Sequence, residues 1–69
     1  MITKLTCFFW DKREVIFSVG TDNVSEVWVD EDKVIINRTF LAPVVIHISK
    51  SGLGENHRDN LRHYVAEFK

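Results

Sequence analysis

"NHRDNLRHYVAEF", Asn56 to Phe68, decides how this chain is classed. Within it Leu61, Tyr64, Val65 and Phe68 stand at i, i+3, i+4 and i+7, one stripe of a 3.6-residue period. The spacing predicts an amphipathic helix over about 56–68. Asn56 offers an N-cap oxygen to the free first-turn N–H groups, and Asp59 suits the positive end of the helix dipole. His57 falls in the stripe one turn before Leu61, as a first-turn histidine partly buried on the rest of the domain, while His63 faces water. The Gly52-Leu53-Gly54 stretch before it lets the chain reverse direction at little cost.

Upstream the pattern is β. Runs at about 2–10, 14–19, 24–30, 33–40 and 44–49 are rich in Val, Ile, Phe, Trp and Thr. Short polar joints separate them, of the kind that link antiparallel neighbours. Pro43 suits the start of an edge strand, where a missing N–H does no harm. The predicted class is α+β: a small antiparallel meander of four to five strands, able to curl into a partial barrel, with one C-terminal helix packed on it. At 69 residues this is a single domain, 1–69, with a thin stability margin.

Burial selects the register, because a one-residue slip exchanges the two faces of a strand. An Asp11-Lys12-Arg13 loop gathers Leu5, Cys7 and Phe9 with Val15, Phe17 and Val19, although Arg13 is no glycine for a left-handed position. A two-residue Glu31-Asp32 loop pairs Val29 with Val34 and Val27 with Ile36. Val44, Ile46 and Ile48 extend this inner face, and the helix covers it.

The other face holds Phe8, Trp10, Ile16, Trp28 and Ile35 among charged residues. Burying such side chains is worth roughly 1.5–3 kcal/mol each, so a use is expected for them. Three uses compete. The sheet curls and they join the core; they form a protein interface, as exposed apolar patches rimmed by charge do; or the aromatic rings stack single-stranded nucleic acid, with Lys4, Lys12, Arg13, Lys33 and Arg38 on phosphates. Net charge is −1, with residues 1–35 at −3 (four basic, seven acidic) and residues 36–69 at +2 (five basic, three acidic), short of a duplex-binding footprint. Arg58 and Arg62 flank the predicted stripe and, with Arg38 and Lys50, are candidate electrostatic contacts to an acidic partner or to phosphates.

Catalytic patterns are missing. Cys7, His47, His57 and His63 show no metal-ligand spacing, no serine sits in a G-x-S-x-G elbow, and Gly52-Leu53-Gly54 lacks the rest of a phosphate loop. The carboxylates of Asp30-Glu31-Asp32 sit at a turn tip. No enzyme activity, cofactor or metal is expected. A single cysteine inside an apolar strand allows no internal disulfide and suits a reducing, cytoplasmic setting. Apolar runs of about five residues fall far below the roughly 20 that cross a bilayer. The functional expectation is a binding module acting through protein–protein contact, as a homodimer or as an inhibitor or regulator of a larger protein. The alternative is a regulator that binds single-stranded RNA on its aromatic face.

Overall fold

A computed structural model describes residues 1–49, 54 and 57–69. Strands β1 (Ile2–Phe9), β2 (Glu14–Ser18), β3 (Val24–Val29), β4 (Lys33–Arg38) and β5 (Val44–His47) follow in order, then a single 3-10 turn at His57–Asp59, then β6 (Leu61–Phe68). They form two three-stranded antiparallel sheets, ordered β2-β1-β6 and β3-β4-β5.

The α+β expectation is therefore corrected. The described residues contain no α-helix, and the stretch read as helix is a strand. The predicted cap at Asn56 and the Gly52-Leu53 reversal lie outside the described residues.

Backbone accounting explains the outcome. The Phe9 N–H donates to the Arg13 carbonyl and the Val19 N–H to the Thr3 carbonyl, both at 2.9 Å. These bonds turn the odd residues of β1 toward β2 and leave the even ones facing the opposite edge. Leu5 and Cys7 in this strand are fully buried, so an unpaired edge here would strand backbone donors and acceptors away from water. A helix satisfies only itself, whereas β6 pairs along β1 from Ile2 opposite Phe68 to Phe9 opposite Leu61.

The misleading spacing has a local cause. The pairing shifts between Phe8 and Phe9, which leaves Arg62 as an extra residue on β6. That bulge sets Leu61 and Tyr64 three apart on one inward face, as a helical turn would. Leu61 is 0% exposed, but Val65 and Phe68, the rest of the supposed stripe, are 52% and 70% exposed.

The first hairpin keeps the expected faces with its loop moved by one residue. Leu5 pairs with Phe17 and Cys7 with Val15, so the three loop residues are Trp10, Asp11 and Lys12. The left-handed position falls on Lys12, at φ 73°. Lys12→Gly is expected to raise stability by about 0.5 kcal/mol in a urea titration, since a side chain costs energy there and glycine does not. The second hairpin has the expected register, Val29 opposite Val34 and Val27 opposite Ile36. Between the sheets, Gly20, Asp22 and Asn23 all take positive φ in a tight turn. Glycine does so freely, and Asn and Asp tolerate it better than other side chains.

One core joins both sheets: Leu5, Cys7, Phe9 and Leu61 from one, and Val24, Val27, Val34, Ile36 and Ile46 from the other. A parallel bridge between Ile48 and Leu61, with the Ser49 N–H donating to the Leu61 carbonyl at 3.0 Å, links the end of β5 to the start of β6. The inner faces meet, and each sheet keeps an outer face of its own.

Candidate functional site

That geometry divides the five residues read as one apolar face. Phe8 and Ile16 lie on the outer face of β2-β1-β6, and Trp28 and Ile35 on the outer face of β3-β4-β5. Trp10 sits just past β1, where its indole Nε1–H donates to the Ser49 carbonyl at 2.7 Å and ties the hairpin to the end of β5. Ile16 and Trp28 are 51% and 58% exposed, and Phe8, Trp10 and Ile35 are half-buried. The sheet has not curled to draw these residues into the core: two separate sheets face each other through their inner sets and leave Ile16 and Trp28 outside.

Trp28 is the centre of the larger apolar surface. It stands opposite Ile35, which stands opposite Val45, so an apolar row crosses all three strands of the sheet. On its other side an open groove of about 620 Å³ runs between the sheets, with Met1, Ile2 and Phe68 on one wall and Val27, Trp28 and Val29 on the other. The rim carboxylate of Glu26 accepts the Trp28 indole N–H at 2.7 Å and so steers the ring. Aromatic side chains present 150–250 Å² each, so the exposed parts of Trp28 and Phe68 alone amount to on the order of 250 Å².

The opposite outer face is more mixed. Its central row runs Ile16, Thr6, Val65, and beside it Phe8 stacks on His63 with centroids 4.3 Å apart and planes at 15°. His63 is exposed, as expected. His57 is half-buried in the 3-10 turn, with Nδ1 3.0 Å from the Gly54 carbonyl.

The basic candidates separate too. Arg38 spends its Nε and Nη2 donors on the Ala42 carbonyl, at 2.8 and 2.6 Å, closing the loop after β4. Arg58 and Arg62 are exposed, and no ion pair engages them among the described residues. Lys50 lies outside the described residues.

Sequence reasoning treated Arg13 as a loop residue and as a phosphate contact. It is a clamp. Its Nε lies 2.6 Å from Asp11 Oδ2, its Nη2 3.1 Å from Asp59 Oδ1, and its guanidinium 4.6 Å over the Phe9 ring. Desolvation is the largest single influence on the Asp11 carboxyl and pushes it up, but the hydrogen bonds and charge of Arg13 together outweigh it and hold the carboxyl below its usual range. The Asp11-x-Arg13 spacing is a signal for the short-range half of this clamp, while the Asp59 half needed the fold. Also missed were Phe68 and Phe40, the latter 98% exposed at φ 64° in the loop after β4.

Among the described residues no three His, Cys, Asp or Glu side chains converge on a point that a metal could occupy. Cys7 is a buried free thiol. No helix among the described residues is long and apolar enough to cross a membrane. No family model matches the chain, and neither a curated protein nor a solved structure does.

Proposed function

We propose that this chain is a non-enzymatic binding module that acts through protein–protein contact, using the apolar surface centred on Trp28. One observation carries the reading. An exposed tryptophan joins a three-strand apolar row to an apolar groove, with a carboxylate steering its ring. Contiguous apolar surface of this kind marks interfaces on soluble proteins, and tryptophan is a frequent anchor in them. An inhibitor or regulator of a larger protein fits such a surface. A reducing, cytoplasmic setting is the compartment that suits an unpaired, buried Cys7. The nucleic-acid alternative has less support, because Phe8, Trp10 and Trp28 share no face on which successive bases would stack.

The test compares wild type with Trp28→Ala. The variant is expected to keep its fold within about 0.5 kcal/mol, as exposed positions do. In capture from an extract of the source cells, at least one protein held by wild type should fall tenfold or more in the variant. Equal retention overturns the reading. So does a random labelled oligonucleotide whose affinity falls steeply between low and moderate salt. Unfolding of Trp28→Ala would show that the ring holds the sheet together instead.

A further inference from the structure

We propose that β6 is a homodimerisation edge, on which a second copy of the chain pairs its own β6 antiparallel about a two-fold axis at Val65. Since the even residues of β1 face β6, the pairs Thr6–Val65 and Phe8–His63 are the hydrogen-bonded ones. His63, Val65 and Glu67 therefore spend their backbone groups on β1, and Tyr64 and Ala66 point theirs away from it. Among the described residues the outer edge of β6 is engaged only at Leu61, by Ser49. An eight-residue strand without proline, with most of its outer edge unpaired among the described residues, is a ready template for another strand.

The pattern of outward groups restricts the register. Antiparallel self-pairing must set Tyr64 and Ala66 against each other or against themselves. Crossing Tyr64 with Ala66 of the second copy places a large side chain opposite a small one, twice. It also brings Val65 against Val65 and sets His63 opposite Glu67 at both ends of the outer face. Glu67 is exposed, with Lys4 Nζ at 3.4 Å, so each carboxylate would lie between an ammonium group and an imidazole N–H donor. Pairing on Tyr64 itself stacks two tyrosines and leaves Glu67 opposite Leu61. Pairing on Ala66 itself brings His63 against Lys69. Only the register centred on Val65 both sets a large side chain opposite a small one and places Glu67 opposite an imidazole donor, His63.

The other long edge, β3, lacks the equivalent crossed register. The Asp30 N–H donates to the Lys33 carbonyl at 2.9 Å, so Val27 and Val29 point their backbone groups outward. Crossing these two sets Glu26 opposite Asp30, like against like.

Sedimentation equilibrium of the wild-type chain should show mass rising with concentration toward twice the 8.1 kDa of one copy. Ala66→Pro removes an N–H that points away from β1, so it should melt as wild type does and sediment as one chain. Val65→Cys should oxidise readily to a disulfide-linked dimer. The two Val65 positions form a non-hydrogen-bonded pair with Cα atoms about 4.5 Å apart, within disulfide range. Ile16→Cys, equally exposed but on β2, should not. Glu67→Lys should weaken association about tenfold, and His63→Glu with Glu67→Lys should restore it.

A wild-type mass of one chain at every concentration overturns the proposal. So does a dimer that survives Ala66→Pro, or Val65→Cys linking no faster than Ile16→Cys. If Ala66→Pro fails to fold, the two cysteine variants decide. Trp28 belongs to the other sheet, so Trp28→Ala should leave this association unchanged, and each surface can fail without the other.

Discussion

Leu61→Ala is expected to cost about 2–5 kcal/mol of unfolding free energy, read from urea titrations followed by circular dichroism. Leu61 is fully buried where β6 meets the core of both sheets. A domain of 69 residues has about 3–10 kcal/mol in total, so the variant should be largely unfolded near the upper end of that cost. Val65→Ala and Phe68→Ala make the informative comparison. Both side chains face water for more than half of their surface, and each truncation should cost no more than about 1 kcal/mol. A helix packed through its 3.6-residue stripe would make all three substitutions comparably damaging. Similar costs at Leu61, Val65 and Phe68 would therefore contradict the strand.

Raising the pH from 9 to 11 should remove about 2 kcal/mol of stability through Cys7 alone. Burial pushes its thiol from 9.0 up to about 11. In the unfolded chain the thiol ionises first, so the unfolded state sheds its proton while the folded state keeps it. Stability is then intact below about pH 8 and falls most steeply near pH 10, by about 1 kcal/mol per pH unit, until the folded thiol titrates as well. Tyrosine and lysine titrate in the same window, so the measurement is the difference between wild type and Cys7→Ala in urea midpoints across that range. Parallel pH profiles would remove Cys7 as the cause. Iodoacetamide gives an independent check at pH 8, where the native thiol should react only as fast as the protein opens.

Much of the first five strands was legible because local and global demands agree there. The inward set of β1 and β2 has one choice of faces that buries Leu5, Cys7 and Phe9 together, whichever residue starts the loop. Glu31-Asp32 is short enough to allow only the observed pairing of β3 with β4. The candidate surface was legible as a set of residues and not as a place. Alternation shows that Ile16 and Trp28 leave the inner face, but in one continuous sheet they would share the other face, and in two facing sheets they lie on opposite sides. Phe68 escaped notice because the helical stripe assigned it to the core.

What the amino-acid order determined by itself was local: which side of each early strand is apolar, that the second hairpin turns at Glu31-Asp32, and that Cys7 is buried without a partner. Leu61 and Tyr64 fit a helical turn and a bulged strand alike, because the extra residue at Arg62 sets them three apart on one face. The choice belonged to the tertiary structure. β1 has two edges and β2 covers one, and the backbone groups along the other could find partners only in a strand lying beside it.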